Sequence, residues 1–552
     1  MAEISTGGDE PRERADARAL LWGVPLAVAL LSHLPSLLNG FVHDDPMLLT
    51  HNPHMHGLSG LAALLGGGLF AAMQELGGVE YYRPLSSVLY WLSWQLFGDD
   101  SVGQHALNLL LHGGVAVAFG ALLRAVGAGD RPSVLGASLF AAHPATADIV
   151  AYVGGRQDML GWLLSLLALR FGALRQPSPR AAVALFTLVL GGCLSREFFL
   201  AAPLWLAALC ITRPPSQRVA ALRYLLGGSG AAVVVTLVLR VAFGIASPSA
   251  ATVPLGGWLD AFAFVSARVV RAVAWPLDLA VEITVAPTTL AGLPMTLPIV
   301  ALVLGGGAAL VLGVVRRADG MQEDEDAAVA RGAAAAVAVS VAVLLATFIL
   351  HTVPAVRFSI IADRYAYGPV MAAVGLVWGL SVLWSARVPR RAPAVVLVLC
   401  IGFVPVAWAR DLDFESDETL SMALLRNRPN DPQSWIGAGT VLFLKGDVDA
   451  AYPLCERYRR AMPRSSRANL CVGEYLLSHG QPRRAAAVLE SYVRVRSGHM
   501  RGRRALVGAL MAAGEVEAAG QAVQWLERRH PGAPDLAEAR ALIERAPARV
   551  AP

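Results

Sequence analysis

Charge is scarce in this chain. Only 16% of its 552 residues are Asp, Glu, Lys or Arg, where a soluble protein of this size carries roughly a quarter. That shortage, with 55% hydrophobic residues and a mean hydropathy of +0.52, excludes a wholly soluble fold. Cysteine is scarce too: five residues exclude a disulfide framework. Cys193, Cys210 and Cys400 fall in apolar runs and read as packing residues. Neither a phosphate-binding P-loop nor a dinucleotide fingerprint is present. Residues 1–18 are polar and mixed in charge, without the short apolar core and small-residue cleavage site of a removable signal. The first apolar segment is therefore expected to remain as an anchor. The net charge of +5 does not mark a nucleic-acid binder, because the arginines lie between apolar segments and form no basic face with interleaved aromatics.

What is present is a long apolar region, 19–410, followed by a tail, 411–552, of ordinary soluble composition. A membrane span needs about twenty apolar residues. By that measure about eleven spans are expected: 19–40, 103–123, 134–153, 158–172, 181–194, 198–212, 224–243, 295–315, 333–353, 367–386 and 393–409. Two shorter stretches, 61–73 and 84–97, read as helices at the headgroup level, the second rich in Tyr and Trp. Residues 258–290 read either as another surface helix or as a further pair of spans. The basic loops are 124–131, 170–180, 213–223, 316–331 and 387–391. With the amino terminus inside, all five fall on the cytoplasmic side. Loops 41–102, 154–157, 195–197, 244–294 and 354–366 then fall outside, as does the tail. The heavy use of Ala, Gly and Arg suits a high-GC bacterium. The expectation is thus a multi-pass protein of the bacterial inner membrane with a periplasmic carboxy-terminal domain.

The tail repeats. Gly446, Gly480 and Gly514 keep a 34-residue step, as do Leu442, Leu476 and Leu510, and Ala451, Ala485 and Ala519. Pro429, Pro463 and Pro531 share the frame, with Ser497 in the remaining slot. This is the period of the tetratricopeptide repeat, a helix–turn–helix that buries apolar surface only against its neighbours and whose concave face binds peptides. Cys455 and Cys471 fall on helices of successive units that pack together, which allows a disulfide between them.

Ionisable side chains cluster on the side read as external. "FVHDDPMLLTHNP" carries Asp44 and Asp45, just after the first span. Further along stand Arg83, His105, Asn108, His112, His143, Asp148, Arg156, Asp158, Arg196, Glu197, Arg357, Asp363, Arg364 and Tyr365. Ion pairing within the bundle accounts for any one of them; their concentration at one face suggests chemistry. Arginine binds phosphate oxygens bidentately and stays charged. A carboxylate near a hydroxyl can act as general base, and fixed cations steady a leaving phosphate. Sugar transfer from a polyprenyl phosphate to a hydroxyl is the chemistry this allows. His43, His51, His54 and His56 crowd the first loop, but their spacing fits no established metal site. No metal or other cofactor is expected, and a divalent ion has no support.

The ordered set "FVHDDPMLLTHNP", "YYRPLSSVLYWLSWQLFG", "NLLLHGG", "HPATADIVAYVGGRQDML", "LSREFFLAAP" and "ADRYAYGP", ahead of tetratricopeptide repeats, resembles the transmembrane and tetratricopeptide-repeat O-mannosyltransferases and their bacterial relatives. The resemblance implies an all-α, polytopic GT-C-like bundle with a carboxy-terminal α-solenoid. It also implies a lipid-phosphate-linked sugar donor, an inverting reaction and a hydroxyl acceptor on protein or glycan, with the repeats holding a protein acceptor. Carried over, Asp45 or Asp44 is the base. Arg83, Arg364 and Arg156 face the donor phosphate. His143, Asp148, Glu197, Arg196, Asp363 and Tyr365 line the site. Two positions depart from the family habit: Asp148 stands where Glu is frequent, and Arg196 where Lys is. The competing expectation is a non-catalytic, membrane-anchored scaffold whose repeats recruit envelope proteins.

Overall fold

The computed structural model describes residues 22–67, 81–243, 255–285, 296–320, 325–358, 360–385, 391–463, 465–495 and 499–529. Residues 1–18, the loop around Arg387, Ser497 and Pro531 lie outside them. The protein divides into two compact units, one of Met1–Ala71 with Glu80–Ser416, the other running from Asp417 onward.

The first unit is helical. Among the described residues its only sheet is an antiparallel pair, Ile283–Thr284 against Ile360–Ile361. Among the described residues six helices are long and apolar enough to cross a membrane: Ser101–Ala125, Pro215–Ala242, Thr296–Asp319, Asp326–Arg357, Asp363–Trp384 and Ala392–Asp413. Each overlaps one of the expected spans. Shorter apolar helices occupy Trp22–Ser32, Gly57–Gly66, Pro179–Ser195 and Glu197–Ile211, and Arg156–Leu174 and Pro84–Phe97 are helical as well.

The expected span 134–153 is not one helix. Asp130–Ala141 stops, His143 adopts an extended conformation (φ −71°, ψ 125°) before Pro144, and short turns lead on to Arg156. A residue preceding proline is pushed out of the helical region. The twelve-residue helix that remains is ~18 Å long, short of a ~30 Å hydrocarbon core. Residues 258–290 likewise hold one helix, Leu255–Ala274, and then the strand Ile283–Thr284.

Small side chains bring the helices together. A Cβ at Gly332 would overlap the Val126 carbonyl, and one at Gly368 would overlap the Trp162 ring, which stacks on Trp205 at 5.1 Å. Arg213 donates to the carbonyls of Gly172 and Arg175, Arg218 pairs with Asp319 at 2.5 Å, and Arg124 pairs with Asp130 at 2.7 Å. These are the basic loops. The loops carrying Asp44, Arg83, Gln157, Glu197, Glu282 and Arg364 meet separately, as described below.

The second unit is a run of seven helices among the described residues, from Asp417–Asn427 to Val516–Arg529. Each packs on its neighbours in sequence. The 34-residue register has a physical basis here. Gly446, Gly480 and Gly514 all take positive φ (88°, 69° and 79°), the left-handed turn after a helix that glycine adopts without penalty. Ala451, Ala485 and Ala519 are all fully buried where helices press together. Cys455 and Cys471 are joined by a disulfide; Cys193, Cys210 and Cys400 are free. Peptide mapping without reductant should find one crosslinked pair, 455 with 471, and three free thiols. An alkylated Cys471 would contradict it.

Candidate functional site

The site is assembled on the loop after the first helix. A turn at Leu34–Leu38 ends in extended backbone, and the chain then reverses at His43, the only non-glycine residue with positive φ (59°) among the described residues. Asp44 caps a single helical turn, Asp45–Leu48, with Pro46 preset for its start.

The two adjacent carboxylates have different environments. Asp45 is completely buried. Its oxygens accept the backbone N–H of Val42 (3.3 Å), Val153 (3.2 Å) and Gly154 (2.7 Å). Burial pushes this carboxyl up to about 7 against the pull of the three donors. Asp44 is 42% exposed. It accepts from the Tyr152 hydroxyl at 3.1 Å and lies 3.1 Å from Nδ1 of His43. Burial alone would raise Asp44, but the His43 cation, the charge of Arg364 and the Tyr152 hydroxyl hold it well below the usual carboxylate range. Nε2 of His43 reaches Glu282 at 3.3 Å. Burial disfavours the imidazolium, yet Asp44 and Glu282 together raise it to about 10.

Arg364 follows the strand Ile360–Ile361, which pairs with the strand beginning next to Glu282. It is half-buried and within electrostatic reach of Asp44, Tyr152 and Glu282. Among the described residues it makes no hydrogen bond or ion pair; its guanidinium lies 5.8 Å from the ring of Tyr365. Tyr365 stacks on His351 at 3.7 Å, and His351 on Phe198 at 5.1 Å.

A second cluster surrounds Glu197. Arg83 donates to it at 2.8 Å and to Gln157 at 2.8 Å, and Arg240 reaches its other oxygen at 3.0 Å. Arg196 pairs with Asp158 and is within electrostatic reach of both Arg83 and Arg364. Three guanidinium groups face two carboxylates here.

Other expected site residues are committed elsewhere. Arg156 is fully buried and donates to Asn108 (2.9 Å), Ser93 (2.6 Å) and Gln104 (2.9 and 3.0 Å). It braces the turn, and four of its five N–H donors are taken by these partners. His143 caps the turn Pro144–Thr146, bonds the Val273 carbonyl at 3.0 Å and packs on Phe403. Asp148 forms a bidentate pair with Arg410 at 2.6 and 3.1 Å. Asp363 is held by Arg268 and by the Ala280 N–H at 2.6 Å. These contacts fix the framework rather than open towards Asp44. Beside Arg410, Asp411 bonds Nδ1 of His33 at 3.1 Å, and His33 reaches Thr146 at 3.0 Å.

Tyr152, Glu282 and Arg240 belong to the two clusters but escaped the sequence reading. Tyr152 stood inside a quoted motif, and Glu282 was an isolated acid in an apolar run. In the first loop, the His56 ring packs edge-on against Trp94 at 5.8 Å, and Asn52 accepts the backbone N–H of His54 at 3.0 Å. No group of three or more His, Cys, Asp or Glu among the described residues is arranged to hold a metal.

An ionised, partly exposed acid near a guanidinium that has no ion-pair partner among the described residues can take a proton and steady an anion. Comparison with known proteins points the same way. A protein O-mannosyl-transferase of Caenorhabditis elegans is 25% identical over 170 residues, 30% of this chain and 24% of the relative. Human protein O-mannosyl-transferase TMTC4 is 31% identical over 157 residues, covering 26% and 21%. Human TMTC1 of the same name is 33% identical over 177 residues, covering 29% and 19%. The chain resembles the protein O-mannosyl-transferases. The match to these O-mannosyl-transferases spans about a quarter or less of their own length. No family model and no solved structure matches. Together the apolar helices and these relatives make it a multi-pass membrane protein.

Two substitutions test the framework. Asp45→Asn turns an amide towards backbone N–H donors, and the melting temperature of the purified chain should fall by several degrees. Arg410→Met leaves Asp148 buried and unpaired, and should cost on the order of 3–5 kcal/mol of stability. Thermal unfolding in detergent checks both; unchanged melting would contradict the anchoring roles.

Proposed function

We propose that the chain is an inverting membrane glycosyltransferase that moves a sugar, mannose by the names of its relatives, from a polyprenyl phosphate to a protein hydroxyl. The observation that carries this is the placing of Asp44 within electrostatic reach of Arg364: an ionised carboxylate open on one side, near a guanidinium without an ion-pair partner among the described residues. Asp44 takes the proton of the acceptor hydroxyl. The hydroxyl oxygen bonds to the anomeric carbon as the bond from that carbon to the phosphate oxygen breaks. The polyprenyl phosphate leaves with both bonding electrons. Arg364 meets the charge growing on the phosphate, and Arg83 and Arg196, with Glu197, line the donor side. Of the acidic pair, Asp45 is assigned the anchor and Asp44 the base, because the oxygens of Asp45 are already occupied by backbone donors.

In this reading the loops around Asp44 face outward from the cell and the basic loops face the cytoplasm, the arrangement the charge bias favours in a bacterial inner membrane. The fold is GT-C-like. The second unit is a tetratricopeptide-repeat domain, periplasmic, that presents a protein acceptor; its 34-residue register and three left-handed glycines support this.

Asp44→Asn should fold and insert normally yet lose transfer by about a hundredfold or more. Arg364→Met should weaken turnover of the lipid donor. The assay is release of labelled mannose from mannosyl polyprenyl phosphate, to water or to a Ser/Thr-rich peptide pool, by the full chain in proteoliposomes. Wild-type rates in a well-folded Asp44→Asn variant would refute the assignment.

A further inference from the structure

His43 combines three unusual properties. It holds a left-handed backbone that non-glycine residues seldom adopt. Its ring bridges two carboxylates from distant parts of the chain, Asp44 at 3.1 Å and Glu282 at 3.3 Å. Its ring also meets Tyr152 edge-on at 5.9 Å, and Tyr152 is the residue whose hydroxyl donates to Asp44. Strained backbone of this kind persists where the surroundings over-determine it, and it concentrates at functional sites. Glu282 is the over-determining partner: it stands next to the strand Ile283–Thr284, whose pairing with Ile360–Ile361 leads on to Arg364.

We propose that His43, bridged to Glu282, is the positioning residue that aims Asp44 and keeps it ionised. This rests on reading Asp44 as the base. The two nitrogens have separate tasks: Nδ1, 3.1 Å from Oδ1 of Asp44, holds that carboxylate by charge, and Nε2, 3.3 Å from Glu282, fixes the ring plane. Both tasks require the imidazolium. Among the described residues, the charged and titratable groups around this ring and its neighbours Asp44 and Tyr152 include Asp45 on the same loop, Glu282 beside the first strand and Arg364 beyond the second. Arg364 is the other cation near Asp44, and in the reaction it must turn to the phosphate. His43 then becomes the cation that stays with the base throughout. This separates the charge that holds the base from the charge that meets the leaving group, and it brings Glu282, remote in sequence, into the working of the acidic pair.

The test is the pH dependence of kcat and KM for the full chain in proteoliposomes, with mannosyl polyprenyl phosphate and a Ser/Thr-rich peptide pool. Asn tolerates the left-handed backbone, so His43→Asn removes the cation and keeps the turn. It should lower kcat at neutral pH by about tenfold or more while leaving KM for the donor within about twofold. Its acid limb should move up by about one pH unit or more, so that activity returns as pH rises. Glu282→Gln weakens the hold on the imidazolium and should bring the alkaline loss of activity to lower pH. A uniform fall in kcat at every pH, with the acid limb in place, would overturn the proposal as a structural effect only. If His43→Asn fails to fold, Glu282→Gln decides alone, and an unmoved alkaline limb overturns it. A fully active Asp44→Asn variant strikes at the base assignment itself, whatever His43 does.

Discussion

Three backbone N–H groups converge on the Asp45 carboxylate, two of them from the turn at Val153 and Gly154. That turn lies more than a hundred residues further along the chain. The hydrogen bonds hold the first loop against it, and the position of everything nearby follows. Once Asp45 is seated, Asp44 has one direction open. Tyr152 is within reach of its oxygen, and His43 must take its left-handed conformation to let the chain turn. Burial disfavours the charge on Asp45, and the three donors offset part of that cost.

Around this anchor the first unit is braced by buried ion pairs. Arg410 with Asp148 and Arg268 with Asp363 are almost entirely inaccessible to solvent. Burying such pairs costs about as much in desolvation as their attraction returns, so they add little net stability; losing one partner, however, leaves a stranded charge. Their effect is on specificity. They join elements far apart in sequence in one arrangement, so the bundle cannot slide by a turn without breaking them. Arg156 does the same with neutral partners only: Asn108, Ser93 and Gln104 absorb its donors without cancelling its charge. Arg364 differs from all of these, because no carboxylate or carbonyl among the described residues bonds its guanidinium.

Much of this was legible in the sequence. Length and hydropathy located the six long apolar helices, and the 34-residue step anticipated left-handed glycines and buried alanines in the tail, since both follow from local rules of backbone and packing. The break at His143–Pro144 was legible in principle, because proline acts on the residue before it, but hydropathy alone ran through it. The site was only half readable. Composition brought Asp44, Arg83, Glu197, Arg196 and Arg364 together as a set of charges on one face. It could not say which arginines were already paired, because Arg83 with Glu197 and Asp148 with Arg410 are contacts between distant segments. Nor could it rank two adjacent aspartates, whose difference is set by the turn at Val153 and Gly154. Glu282 was invisible for the same reason: its meaning depends on a strand pairing only two residues long.

The last apolar helix, Ala392–Asp413, carries a practical consequence. Its end is fastened to the beginning of the chain: Asp411 bonds His33 through its carboxylate and Asn39 through its carbonyl, and the Glu415 carbonyl accepts the Gly40 N–H. The six residues after Arg410 are therefore part of the floor under the acidic loop, although they look like a linker. Trimming the chain at residue 409 would remove that floor along with the repeats. Severing it after Ser416 would spare every one of these bonds, so two shortened proteins only seven residues apart are different experiments.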